Sequence, residues 1–320
     1  MWAALDALVD RASVPELLYH RLGAFGARRR RTRGLPVEPE LEHEERLAAL
    51  AAATGPATLA RVLAVAPAPV VVVKGLEVAR RYPDPALRPY RDLDLLTADP
   101  AGLQRALLDS GFEVVNPGRE DAEHHELGLV SPGLPMIVEV HGALKWLPGR
   151  AGPPAHELLA GAQPADDDPR VLRLPGPQHA VLVAVHAWAH RPLRRVLDLV
   201  DVLVVSEGED RGALRRQAER WGVQRVWDTT LAAAEALLRG GPAPWPLRVW
   251  ARDLPALRRR TVLEHALERW LAPFSALPPG AATRQALSAL GRDLRPAPGE
   301  TWREKAVRSR GSLRDAFTAR

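Results

Sequence analysis

Three acids sit in segments that otherwise read as apolar strands: Asp92 and Asp94 in "DLDLL", and Glu139 in "MIVEVH". In a strand, residues two apart share a face about 6.6 Å apart, given a rise of roughly 3.3 Å per residue. Asp92 and Asp94 therefore project together, with Leu93 and Leu95 on the other side. By the same alternation Glu139 shares a face with Ile137 and His141, opposite Val138 and Val140. Neighbouring carboxylates repel, and taking them out of water is costly. A divalent cation removes both problems. Mg²⁺ and Mn²⁺ take hard oxygen ligands and leave positions for substrate phosphates. Two acids on one strand and a third on a neighbour give the minimal set for two ions about 3.5–4 Å apart. One ion would position a triphosphate, the other an attacking hydroxyl.

An Asp-x-Asp is a weak signal alone. The structural alternative is an exposed edge on which Asp92 and Asp94 pair with Arg88 and Arg91. Haloacid-dehalogenase phosphatases and some glycosyltransferases also use the pattern, but after an apolar strand. Here "LRPYR" precedes the acids and the apolar residues follow them.

The elements around the acids can be read from pattern. Residues 3–25 and 40–66 space their apolar residues at three and four, as helices do. "APVVVV" (68–73) is a β-branched run of strand type. "GLEVARRY" suits a short helix, and "DLDLLT" a second strand. "DPAGLQRALLDSGF" reads as a helix capped by Asp99 and closed by Gly111. "EVVN", "HHELGLV" and "MIVEVHGAL" follow as three more strands, with His124 and His125 opening the second of them. A Pro/Gly-rich connection then leads to a pattern that is helical from Pro177 onward, with a basic tail expected to fray. The expected class is α+β: an N-terminal helical segment (1–67), a small mixed-sheet core (68–147) and a C-terminal helical region (148–320).

This order of motifs resembles the uncharacterised nucleotidyltransferase branch, a bacterial one, of the DNA polymerase β-like nucleotidyltransferase superfamily. The residues that carry the resemblance are "VVVKG", "RYPDPALRP", "DLDLL", "VEVH" and "VHAWAHRPLRRVLDLVDVL". The likeness runs to about residue 205. It implies transfer of a nucleoside monophosphate from an NTP to an acceptor hydroxyl, with pyrophosphate leaving. On that resemblance Asp92, Asp94 and Glu139 are the catalytic, metal-holding acids, with Mg²⁺ or Mn²⁺ as the ion. Lys74, Gly75 and Arg88 would contact the triphosphate, Arg88 through its bidentate fork. One departure stands out: the superfamily places Ser after the glycine, and here Leu76 follows Gly75. The alternatives are a non-catalytic binding module and a toxin-like enzyme that modifies RNA.

His186 and His190, four apart, share a helix face. They could hold zinc, contact nucleotide or acceptor, or be structural; His190 is taken as a nucleotide contact. The structural reading pairs Asp198 or Asp201 with Arg194 or Arg195. His141 could orient Glu139. The cluster Arg28–Arg31 with Arg33 could touch RNA or acidic lipid, but no aromatic residue interleaves, and a solvated face is the simpler reading.

Composition sets outer limits. The 320 residues carry a net charge of +5 and no cysteine, which excludes disulfides, thiolate metal sites and a cysteine nucleophile. The N-terminus lacks a basic n-region with a long apolar core, and no run of eighteen uninterrupted apolar residues occurs. The expectation is a cytoplasmic protein with an NTP donor and an acceptor that is a small molecule, peptide, protein or RNA. Neither membrane nor DNA is expected as a partner.

Overall fold

The computed structural model describes residues 1–115 and 127–318. Four helices lead the chain: α1 (Trp2–Val9), α2 (Val14–Tyr19), α3 (Gly23–Thr32) and α4 (Pro39–Val65). The helix anticipated over 3–25 is thus broken twice. Pro15 starts α2 at its first turn, and Arg21 adopts φ 58° before α3. That places a long cationic side chain at a left-handed corner, a conformation uncommon outside glycine. The basic cluster lies on α3, ion-paired with acids around it: Arg28 with Asp84, Arg29 and Arg33 with Asp10, Arg30 with Glu38, Arg31 with Glu45.

Helix α4 is long and apolar enough, by length and composition alone, to cross a membrane. Ala51, Leu59, Val62 and Leu63 on it are buried in the same core cluster as the sheet residues Leu93, Leu95, Val138 and Val140.

The sheet has seven strands. They are β1 (Val70–Val72), β2 (Asp92–Leu96), β3 (Glu113–Val114), β4 (Leu129–Val130), β5 (Ile137–His141), β6 (Gln163–Pro164) and β7 (Val171–Arg173). Their order is β3-β4-β5-β2-β1-β7-β6. β2 runs parallel to β5, and β1 parallel to β7; the other neighbours are antiparallel. Helix α5 (Leu76–Ala79) follows β1, and α6 (Pro100–Asp109) follows β2 with the Asp99 carboxylate accepting from Gly102 N–H at its start. The fold is mixed α/β with helices at both ends, in the class expected. The sheet does not end with β5, however. The Pro/Gly-rich connection contributes α7 (Ala155–Gly161), β6 and β7, and β7 covers the free edge of β1. His124 and His125 lie outside the described residues.

Helices make up the rest. α8 (Gly176–His190) and α9 (Val196–Val205) are followed by α10 (Arg211–Arg220), α11 (Gln224–Leu238), α12 (Trp245–Val249) and α13 (Asp253–Ala256). The chain closes with α14 (Val262–Leu271), α15 (Pro273–Ala276), α16 (Pro279–Leu294) and α17 (Trp302–Thr318), the last spanning the tail expected to fray. Both α8 and α9 are buried over most of their lengths, and they share a core cluster with the N-terminal helices α1–α3.

Candidate active site

Strand β2 lies in the middle of the sheet, so the exposed-edge reading of its acids does not hold. Register places Asp92 beside Ile137, Asp94 beside Glu139 and Leu96 beside His141 across the parallel β2–β5 pair. The alternation works as the pleat demands. Leu93, Leu95, Val138 and Val140 enter the core under α4, and the carboxylates take the opposite face.

Asp94 is the most enclosed of the three acids, only 2% exposed. Lys74 Nζ and His141 Nε2 approach the same oxygen, Oδ1, at 3.2 and 3.1 Å. Its other oxygen, Oδ2, is buried with no hydrogen-bond partner. Burial pushes its pKa up, but Lys74 and then His141 override this and hold the carboxyl ionised, well below the usual range. His141 is nearer to Asp94 than to Glu139, whose Oε2 is 3.8 Å away. The structure therefore gives it a different acid to orient from the one anticipated.

Asp94, Glu139 and His141 bring ligand atoms to within 4.8 Å of one another, a spacing that could hold a metal ion. Asp92 stands beside this group rather than in it, and lines the adjoining cavity. Burial and the charge of Asp94 raise its pKa, against the pull of Lys74, Arg88 and Arg21.

That cavity, about 230 Å³, lies between the ends of β1 and β2, the Arg21 corner, and helices α8 and α9. Lys74 and five arginines (21, 88, 191, 194 and 195) line it against Asp92, Asp198 and Asp201. Two of the arginines are committed: Arg88 to Asp201 at 2.8 Å, and Arg191 to Glu268 at 3.3 Å. Among the described residues no carboxylate forms a close ion pair with Arg21, Arg194 or Arg195, although the charge of Asp198 acts on Arg195 and Arg21. Arg194 Nε is buried without a hydrogen-bond partner. Burial, and next the charge of Arg195, lower the Arg21 pKa. Half-buried guanidinium groups gathered around one cavity could meet a polyanion through charge-assisted hydrogen bonds.

The anticipated residues are placed as follows. Lys74 reaches both Asp94 and the cavity. Gly75 has φ 57°, and a Cβ there would stand 2.9 Å from the Asp92 carbonyl oxygen, so the turn packs directly on β2. Leu76 points into the core. Tyr90 also lines the cavity; its hydroxyl donates to the Ala51 carbonyl at 2.8 Å, in space left by Gly55 on α4. Arg88 lines the cavity while donating to Asp201, which also accepts from the Tyr82 hydroxyl at 2.6 Å. Asp201 thus pairs with Arg88, and not with Arg194 or Arg195.

His186 and His190 both line the cavity, their ring centroids 4.5 Å apart. Burial first, then Lys74 for one and Lys145 for the other, push both below the ordinary histidine value, His190 to about 4, so both are neutral at pH 7. Sequence reasoning missed Arg21 and His179, and it named Arg194 only as a structural partner of Asp198 or Asp201, whereas it lines the cavity. The His179 ring nitrogen lies 2.8 Å from the Val73 carbonyl oxygen and so ties α8 to the end of β1 just before Lys74. The signal for His179 was present, a histidine inside an otherwise apolar helix. Arg21 carried none, because nothing local announces a positive φ without glycine.

A family model described as "Uncharacterised nucleotidyltransferase" matches residues 1–239. The chain belongs to this family. No curated protein and no solved structure matches. The family's description implies an NTP as substrate, and a carboxylate–histidine group that could hold a metal ion lies beside a cationic cavity.

Proposed function

We propose that the chain transfers a nucleoside monophosphate from an NTP to an acceptor hydroxyl and releases pyrophosphate. The observation that carries this reading is the pairing of two unlike surroundings. Carboxylates lie close together on β2 and β5, with Asp94 held ionised, and guanidinium groups line the cavity next to them.

The donor set fits a divalent ion. Asp94 is ionised, and its Oδ2 is buried without a partner. Asp94 and Glu139, with Asp92 from the cavity side, are the residues that would hold Mg²⁺ or Mn²⁺, and His141 would steady Asp94 through Oδ1. When bound, the ion would neutralise phosphate charge and make the acceptor oxygen more acidic.

The chain's own groups account for the rest. Arg21, Arg194 and Lys74 hold the phosphates from the cavity wall, and the backbone of the Gly75 turn takes the place of the serine hydroxyl that Leu76 cannot offer. Arg88 is fixed by Asp201 and presents its remaining N–H groups to the cavity. The bond from the α-phosphorus to the acceptor oxygen forms as the bond to the bridging oxygen breaks, and pyrophosphate leaves with that electron pair. Glu139, part-exposed beside Asp94, accepts the hydroxyl proton.

Calorimetric titration of each of the four NTPs, with and without Mg²⁺, tests the reading on wild type and on Asp92→Asn and Asp94→Asn. The reading expects metal-dependent binding of at least one NTP by wild type, and loss of the metal-dependent part in both variants. A folded wild type that binds no NTP refutes it.

A further inference from the structure

A second cavity, about 320 Å³, adjoins the first. Small-molecule pockets start at roughly 300 Å³, so it has room for a compact ligand. His190 lines both cavities. The Arg191–Glu268 pair, 3.3 Å, joins the two linings, with Arg191 on one and Glu268 on the other. The second cavity opens behind the loop that leaves β5, where Leu147 follows Glu139 and His141. More than half of its lining residues lie between Glu268 and Arg292, beyond the 239 residues that match the family.

Its chemistry differs from that of the nucleotide cavity. Leu147, Trp188, Pro273, Leu277 and Ala289 give it an apolar wall. Glu268 and Arg269 on its margin are already paired, with Arg260 and Asp293 respectively. Arg292 is different. Its Nη1 donates to Ser288 Oγ at 2.7 Å, it is exposed, and among the described residues no carboxylate meets it.

We propose that this cavity takes the acceptor: a small molecule with an apolar ring or branched body, a carboxylate that meets Arg292, and a hydroxyl directed past His190. The inference rests on the nucleotidyl-transfer reading above. Neutral His190 can pass beside both substrates without adding charge to either. A sugar is a poor match, because the apolar wall leaves many of its hydroxyls without partners.

The test uses 3-(4-hydroxyphenyl)propionate, which combines ring, carboxylate and hydroxyl, titrated into the full-length chain by calorimetry. Wild type, Arg292→Glu and Ala289→Phe are compared, and Mg²⁺–NTP binding is measured on the same samples. The proposal expects wild type to bind the probe, both variants to bind it at least about tenfold more weakly, and NTP binding to match in all three. Arg292 is at the surface, so its variant tests the idea even where Ala289→Phe disturbs packing. Equal probe binding by wild type and Arg292→Glu, or none by folded wild type, overturns the acceptor site. Absence of NTP binding with the probe still bound overturns the transfer reading instead.

Discussion

Two regions of this molecule bury charge, and they do so in opposite ways. In the C-terminal half, Arg260 is almost fully enclosed between Asp253 at 2.9 Å and Glu268 at 2.6 Å, with its guanidinium carbon 5.4 Å from the centroid of the Trp250 ring. Arg191 continues the alternation from Glu268. Cation and anion take turns, as they must when nothing but the protein will neutralise them. On β2 and β5 the signs are sorted instead. Asp92, Asp94 and Glu139 sit together, with Lys74 3.2 Å from Asp94, and the guanidinium groups line the adjoining cavity. An arrangement of that kind is poorly balanced by itself and well balanced by a metal-bound triphosphate. Interleaved charge holds a fold together, and segregated charge waits for a ligand.

That contrast can be broken from either side. Arg260→Ala strands two buried carboxylates and is expected to cost about 3–5 kcal/mol of stability, measured by urea unfolding. NTP binding by the fraction that remains folded should persist. Asp94→Asn reverses the pattern: the metal-dependent part of NTP binding should fall by at least about tenfold, roughly 1.4 kcal/mol or more. Its unfolding free energy should move less than that of Arg260→Ala, because Lys74 loses one acid but keeps the charges of Asp92 and Glu139 beside it.

Acid sharpens the comparison, since each region keeps a buried neutral histidine. His20 lies 3.1 Å from the Arg258 carbonyl oxygen in the interleaved region, and His179 contacts Val73 beside the site. Burial lowers both from 6.5 to about 4. The unfolded chain then binds protons before the folded one does. The stabilisation is therefore complete above pH 6.5, and it is lost as pH falls toward 4. Each histidine contributes on the order of 3 kcal/mol to that loss. Unfolding midpoints measured from pH 7 to pH 4 should fall through this window, and His179→Gln should flatten part of the slope. The smallest effect is expected at the turn. Gly75→Ala meets the Asp92 carbonyl and a positive φ, and should cost about 1–3 kcal/mol while weakening NTP binding.

Much of the site was legible because its signals are local. The alternation in "DLDLL" and "MIVEVH" placed the acids, their faces and the pairing of their strands; Asp99 and Gly111 bounded α6. What was hidden depends on distant residues. β6 and β7 are too short to show a period, and only pairing with β1 makes β7 a strand. The Arg88–Asp201 pair spans 113 residues, and the cationic wall brings together Arg21 and Arg194 from distant parts of the chain. No window of sequence holds them together. The Asp94–His141 contact was nearly visible, but cross-strand register decides which acid a histidine meets, and that follows from pairing rather than from spacing.

The central claim is that the grouped acids of β2 and β5 form a metal site. Mn²⁺ titrated into the protein, without nucleotide and then with a non-hydrolysable NTP, and followed by electron paramagnetic resonance, tests it directly. The account predicts that wild type removes the free-ion signal beyond what the nucleotide alone removes, and that Asp94→Asn and Glu139→Gln do not. A folded wild type that leaves as much free Mn²⁺ as nucleotide alone, or an Asp94→Asn variant that binds as wild type does, would contradict it.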